Sequence, residues 1–324
     1  MKLLKLVPDN TNFKFLKWRN VAIWVSIAMI VASIALVAIR GLNFGVDFAG
    51  GLMMEVRFDQ PAQLDDLRRT VSSAGAGEGS LQTFGNPNTV SIRLPLPEGD
   101  DAAVQKVVQS VQATIKAENA DAQFRRVETV SGKVSGELIR DGALAIFFAM
   151  IGISIYIWFR FEWQFGVGAL FALVHDVALT LGFFALTQLE FNLNIVAAIL
   201  TIVGYSLNDT VVVYDRIREN LRKYRKMGIE EVLDLSVNET LSRTIVTSIA
   251  MVLALGTLVV LGGSVLFGFS VAMLLGIFIG TYSSIFIGAP ILMWMGVGPH
   301  SFLPAEATGP EAKLKMKNEA QGQI

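Results

Sequence analysis

The residue of this chain best placed to do chemistry is an aspartate inside an apolar run. Asp209, preceded by Asn208, lies within Leu193–Val213, a stretch otherwise dominated by Ile, Val, Ala and Leu. A carboxylate inside a membrane span costs about 2.5–3.5 kcal/mol on insertion scales, so it needs a partner or a purpose. The partner offered by the sequence is Arg243, in Glu239-Thr-Leu-Ser-Arg-Thr-Ile-Val-Thr-Ser248, where the next long apolar run begins. The two runs go in opposite directions, which places Asp209 and Arg243 at similar depth at a rise of about 1.5 Å per residue. One reading is a protonatable carboxylate balanced by the arginine, released when a proton arrives, so that helices shift. The other is a static ion pair that fixes packing. The first is the expectation taken forward.

Three further groups of residues invite a chemical reading. His175-Asp176 lies at the middle of Phe165–Leu186, with Thr180 one turn on. Together with Asn208 these make a candidate secondary proton relay. A neutral, hydrogen-bonded pair that joins helices fits the same spacing. Gly45-Val-Asp-Phe-Ala-Gly-Gly51 follows the first apolar run, and its glycines permit a tight turn with positive φ. It lacks the Lys-Ser/Thr ending of a phosphate loop. Asp47, Gly50 and Gly51 are therefore read as a hinge or capped turn that leads out of the first span. Gly276-Ile-Phe-Ile-Gly280 has the spacing that allows close helix approach, and packing is its expected use.

No catalytic constellation accompanies these residues. The chain has no cysteine, which excludes disulfides, thiolate metal sites and thiol nucleophiles. Its two histidines, His175 and His300, stand far apart without metal-ligand spacing. No cofactor, metal or enzymatic role is expected. A net charge of −1 also argues against a nucleic-acid partner, which calls for a basic field.

The elements that must position these residues are membrane helices. The chain is 52% hydrophobic and only 17% charged, against about 25% charged for a soluble domain. About 20 apolar residues cross the hydrocarbon. Six stretches approach that length: Val21–Ile39, Ala143–Phe159, Phe165–Leu186, Leu193–Val213, Ile245–Leu261 and Phe269–Trp294. The second and fifth are short and are expected to extend into their flanks. The first is too long for a signal peptide and lacks a small-residue cleavage site, so it reads as a retained anchor. Pro290 in the last span is tolerable if neighbours satisfy the freed carbonyl.

Basic residues orient the spans. Lys2, Lys5, Lys14, Lys17 and Arg19 keep the N-terminus inside. Arg216, Arg218, Arg222, Lys223, Arg225 and Lys226 place the fourth-to-fifth connection inside, and Lys313, Lys315 and Lys317 the C-terminal tail. The segments 188–192 and 261–268 carry no Lys or Arg and fall outside. The long insert after the first span is also outside. It reads as strand 52–59, helix 61–71, strands 80–84 and 89–94, helix 101–117 and strand 122–130, the order of a ferredoxin-like fold. The expected chain is thus an α-helical polytopic membrane protein with six transmembrane helices. An α+β ferredoxin-like (βαββαβ) periplasmic domain lies between the first and second spans. The divisions are a cytoplasmic tail 1–20, first span 21–39, outer domain 40–141, five-helix bundle 142–295 with a cytoplasmic loop 214–240, and cytoplasmic tail 296–324.

The stretch Gly204-Tyr-Ser-Leu-Asn-Asp-Thr-Val-Val-Val-Tyr-Asp-Arg-Ile-Arg-Glu-Asn220 resembles the SecF family, the smaller subunits of SecD–SecF translocase accessory complexes in the RND superfamily. Asn43-Phe-Gly-Val-Asp-Phe-Ala-Gly-Gly51, Phe159-Arg-Phe-Glu-Trp163, Ala172-Leu-Val-His-Asp-Val177 and Leu241-Ser-Arg-Thr-Ile-Val-Thr-Ser248 resemble it too, in the expected order. The resemblance implies a bacterial inner-membrane protein with SecD as partner, which uses the proton motive force to drive or complete preprotein translocation after the ATP-dependent SecA step. It further implies an association with the SecYEG channel, YajC and YidC, contact with the translocating preprotein and membrane lipids, Asp209 as the carboxylate of the proton route, and Arg243 as its companion. The competing reading is a half-size RND-type proton-coupled efflux transporter for small molecules.

Overall fold

The computed structural model describes residues 11–75, 79–84, 86–97, 101–298 and 301. Lys2, Lys5, His300 and the tail lysines 313, 315 and 317 lie outside the described residues. Among the described residues, six helical segments are long and apolar enough to cross a membrane: Phe15–Arg40, Gly132–Arg160, Trp163–Thr187, Leu193–Lys223, Ile229–Leu261 and Val265–Trp294. The first is a 3₁₀ turn, Phe15–Trp18, leading into α1 (Arg19–Arg40); the next four are α5 (Gly132–Arg160), α6 (Trp163–Thr187), α7 (Leu193–Lys223) and α8 (Ile229–Leu261). The intervening labels belong to the insert: α2 (Val46–Ala49), α3 (Leu64–Ser73) and α4 (Asp101–Glu118).

The sixth segment is interrupted. It consists of α9 (Gly263–Ser283), a π-helical turn over Ser284–Gly288 and α10 (Ala289–Trp294). Pro290 supplies the cause. It brings no N–H, and its ring crowds the carbonyl four residues earlier, at Phe286. Widening the preceding turn absorbs that misfit, and the Ala289 N–H bonds five residues back to Ser284 O.

The helices α6 and α7 form the interior of the bundle and hold most of its buried residues. They pack on one another, with α1 and α5 against α6 and α8 and α9 against α7. Glycines allow the closest approaches. A Cβ on Gly280 would lie 2.9 Å from the Ser206 Cβ, and one on Gly276 would collide with Ile202. The GxxxG pair thus seats α9 on α7 within the chain.

Three spans are longer than their apolar cores suggest. The stretch 214–240, expected as the cytoplasmic connection between two spans, is helical at both ends: α7 runs to Lys223, α8 starts at Ile229, and only 224–228 connect them. The reason is amphipathic periodicity that outlasts the apolar run. Tyr214, Ile217 and Leu221 on α7 and Val232, Leu233 and Val237 on α8 bury one stripe in a shared core while the charges face outward. Likewise α5 starts at Gly132, capped by the Ser131 side chain, so the inserted domain ends near Val130 rather than at 141.

That domain contains β1 (Gly51–Arg57), β2 (Ser80–Phe84), β3 (Asn86–Leu94) and β4 (Gln123–Val130) in the order β2-β3-β1-β4, with every neighbouring pair antiparallel. Leu52, Met54 and Val56 of β1 and Val90, Ile92 and Leu94 of β3 pack under Leu67 and Val71 of α3 and Val111 and Ile115 of α4. The opposite sheet face, with Met53, Glu55 and Ser91, covers the bundle at the 188–192 and 265–269 segments across a small cavity of about 80 Å³. At the far end of the bundle the N-terminal segment is tied to α8. Phe13 N donates to Asn238 Oδ1, Leu16 N to Asp234 Oδ1, and Arg19 pairs with Glu230 at 2.9 Å.

Candidate functional site

Asp209 lies on the interior face of α7 and is 9% exposed. Thr244 Oγ1 of α8 donates to its Oδ1 at 2.5 Å, and Ser284 Oγ, the first residue of the π turn, donates to its Oδ2 at 2.9 Å. A buried carboxylate without such donors would be destabilising by several kcal/mol. Arg243 is not in contact with it. No ion pair joins Asp209 to Arg243 among the described residues, and Arg243 is exposed at the rim of a cavity of about 350 Å³ that it shares with Asp215, Glu219 and Glu239. Successive helical residues point about 100° apart, so Thr244 faces the carboxylate and Arg243 faces away. The guanidinium remains near enough for its charge to bear on Asp209.

A second carboxylate is buried more completely. Asp176 of α6 is 0% exposed. Its Oδ1 lies 3.0 Å from His175 Nδ1, while its Oδ2 accepts from Ser206 Oγ of α7 at 2.5 Å and from Ser283 Oγ of α9 at 2.9 Å. Thr180, expected beside the pair, instead donates to the Asp176 backbone carbonyl. His175 stacks on Tyr282 with ring centroids 5.9 Å apart, and Tyr282 Oη donates to Ala22 O of α1. When Asp176 is ionised, the imidazole proton belongs on Nδ1. Nε2 is then a buried acceptor, and it has no hydrogen-bond partner. Asn208 is exposed and joins neither carboxylate among the described residues.

The sequence reading did not single out Ser206, Thr244, Ser283, Ser284 or Tyr282. The available signal was Thr281-Tyr-Ser-Ser284, four hydroxyl-bearing residues in succession within an apolar span.

The turn after the first span is joined to α7 itself. Asp47 Oδ2 accepts from Leu193 N, the first amide of α7, and Asn192 Oδ1 accepts from Asn194 N. Gly50 and Gly51 have φ of +71° and +121°, and a Cβ on Gly51 would sit 2.8 Å from Leu94 O. Phe44 pairs with Phe191 in a short parallel bridge. From the sheet, Arg93 pairs with Glu190 at 2.7 Å and donates to Asn43 Oδ1 and Phe44 O. Asn43 in turn donates to Gln188 O. The turn after the first span, β3 and the start of α7 therefore form one polar junction at the sheet end of the bundle.

No cluster of three or more His, Cys, Asp or Glu side chains suited to a metal occurs among the described residues. The arrangement offers two buried carboxylates solvated by hydroxyls. A hydroxyl can donate to a carboxylate and accept from a carboxylic acid, so either protonation state of Asp209 can be satisfied in place.

Comparison with known proteins gives consistent results. Residues 110–298 match the family model described as "Protein export membrane protein SecD/SecF, C-terminal", and residues 35–62 match "SecD/SecF GG Motif". The "Protein translocase subunit SecF" of Rickettsia bellii is 47% identical over 247 residues, 76% of this chain and 81% of that protein. That of Rickettsia prowazekii is 45% identical over the same length, 79% of its own chain. The crystal structure of SecDF, a translocon-associated membrane protein from Thermus thermophilus, superposes with a TM-score of 0.81 at 32% identity, covering 90% of this chain. This chain spans 40% of that SecDF chain. A SecDF structure in its super-membrane-facing form superposes with a TM-score of 0.65 at 34% identity, covering 89% of this chain and 39% of the other.

Proposed function

Because the chain belongs to the SecD/SecF family of protein-export membrane proteins, we propose that it is the SecF-type subunit of a Sec translocase accessory complex, paired with a SecD-type chain and driven by protons. The observation that carries the proton reading is the environment of Asp209: a buried carboxylate held by the hydroxyls of Thr244 and Ser284 rather than by a fixed counter-charge. A permanent ion pair would hold the carboxylate ionised. Hydroxyl partners leave it free to accept and release a proton, with Arg243 supplying a nearby positive charge from the rim of the neighbouring cavity. In this reading His175 and Asp176 form a second protonatable site.

Charge distribution supports the orientation. Lys14, Lys17 and Arg19 share one end of the bundle with the basic turn between α7 and α8, and the sheet domain occupies the other end. By the excess of basic residues on cytoplasmic segments, both termini face the cytoplasm and the sheet domain faces the periplasm of a bacterial inner membrane. Its βαββαβ order and β2-β3-β1-β4 sheet support reading it as a ferredoxin-like domain. In this reading it serves as a docking or grip surface for the emerging preprotein. The SecYEG channel and SecA, with YajC and YidC, are the further partners that the family assignment implies.

The energetics suit a modest swing of that domain. One charge moved through about 100 mV yields about 2.3 kcal/mol, which biases a two-state equilibrium by more than tenfold, since about 1.4 kcal/mol is a factor of ten. Export into membrane vesicles, measured with and without a proton gradient, tests the reading. Asp209→Asn should assemble with the SecD-type chain yet lose the gradient-dependent part of export. Full gradient-dependent export by that variant would overturn it.

A further inference from the structure

Two buried carboxylates on different helices are contacted by two consecutive residues of a third. Ser283 Oγ donates to Asp176 Oδ2 and Ser284 Oγ donates to Asp209 Oδ2, each at 2.9 Å. Each hydroxyl also has an alternative acceptor one turn back in its own helix: Gly280 O at 3.2 Å for Ser283 and Thr281 O at 3.1 Å for Ser284. A hydroxyl has a single proton to donate, so it serves either the carboxylate or the helix carbonyl. An ionised aspartate takes the proton bond. A neutral aspartic acid donates its own O–H to the serine oxygen, and the serine turns its proton back to the helix. Back-bonding of this kind bends helices. Here it would act where the helix is already widened, since Ser284 O is the acceptor of the Ala289 N–H in the π turn.

The contact that Asp176 makes with α7 does not extend to the Asp209 carboxylate. Ser206, which donates to Asp176 Oδ2, lies one turn before Asp209 on α7, and its carbonyl accepts from Thr210 Oγ1 at 3.0 Å.

We propose that Ser283 and Ser284 are positioning residues that couple the two carboxylates, so that loss of charge at Asp209 rearranges the hydrogen bonds of the His175–Asp176 pair. The groups facing Asp209 are Thr244 and the Arg243 charge from α8 and Ser284 from the π turn. Those facing Asp176 and His175 are Ser206 from α7 and Ser283 and Tyr282 from α9, the last anchored to α1. The coupling rests on the reading of Asp209 as the group that changes protonation.

The chain has two histidines, which makes His175 a convenient reporter. Full-length protein labelled with ¹⁵N-histidine, in lipid with its SecD-type partner, gives two ring signatures, and His300→Gln assigns the remaining one to His175. Asp209→Asn, which neutralises the carboxylate, should shift the His175 ring nitrogens. The same substitution in a Ser283→Ala/Ser284→Ala background should leave them unmoved, and Ser283→Thr/Ser284→Thr should restore the response. Should the double alanine background fail to accumulate, Ser284→Ala alone should abolish the shift. A response that survives removal of the serines, or no response in the serine parent, overturns the coupling. The measurement uses neither gradient nor export. A normal His175 response in a chain whose Asp209→Asn form still exports normally with the gradient would refute the proton reading and leave the coupling standing.

Discussion

The bundle interior and the sheet-side junction solve the same problem, buried polar groups, in opposite ways. At the junction, Arg93 and Glu190 form a largely buried ion pair at 2.7 Å, and the surrounding bonds run to backbone: Asp47 to Leu193 N, Arg93 to Phe44 O, Asn43 to Gln188 O. In the interior, Asp209 and Asp176 receive hydroxyl donors from Thr244, Ser284, Ser206 and Ser283. Fixed charges and backbone amides cannot reverse their roles, whereas hydroxyls can. On the proposed function, the junction would transmit position and the interior would change state. Asp47 holds the first amide of α7, and Asp209 lies further along that same helix, so α7 joins the two regions.

Several substitutions would break or sharpen this contrast. The largest effect is expected for Arg93→Ala, which strands Glu190 in a buried site. Removing one partner of such a pair costs about 3–5 kcal/mol. Thermal unfolding and limited proteolysis should show the sheet domain loosened from the bundle, and Arg93→Met with Glu190→Leu should recover most of the loss. Unchanged stability in Arg93→Ala would mean that the pair holds nothing together.

Thr244→Val removes a hydrogen bond to a charged group, worth about 1.5–3 kcal/mol. The contrast predicts that this loss shrinks when Asp209 is replaced by Asn, whereas the Arg93→Ala effect stays the same in either background. A double-mutant cycle on unfolding free energy reads both. Gly51→Ala places a side chain at φ +121° and against Leu94 O, for about 1–3 kcal/mol of strain. Gradient-dependent export should fall while assembly with the SecD-type chain persists. The smallest effect is expected for Asp47→Ala, which removes a cap worth about 1 kcal/mol. Hydrogen exchange should accelerate at Leu193 and the first turn of α7, with little change near Asp209.

The sequence made the coarse architecture legible for a physical reason. Long apolar runs and the strand-helix alternation of the insert are one-dimensional signals, and the six segments and the sheet domain follow them. Finer features depend on direction about a helix axis. Arg243 and Thr244 are neighbours in sequence, yet only Thr244 reaches Asp209, and a hydropathy pattern does not distinguish them. A hydropathy window stops where the charges of 214–240 begin, although Ile217, Leu221 and Val232 continue the buried stripe. The serines were the least visible. In a membrane helix most hydroxyls bond their own backbone, as Thr201 does to Ala197 O and Thr257 to Leu253 O. Nothing local sets Ser206 apart from those two, and the carboxylates that Ser206, Ser283 and Ser284 serve lie on other helices.

Infrared difference spectroscopy of the full complex in lipid, recorded as the side carrying the sheet domain is acidified, looks directly at a carboxyl group gaining a proton. A protonated-carboxyl band should appear in the parent protein, shift when Ser284 is replaced by Ala, and be absent from Asp209→Asn. A band of undiminished intensity in Asp209→Asn would assign the proton to another group and contradict the role given to this buried aspartate.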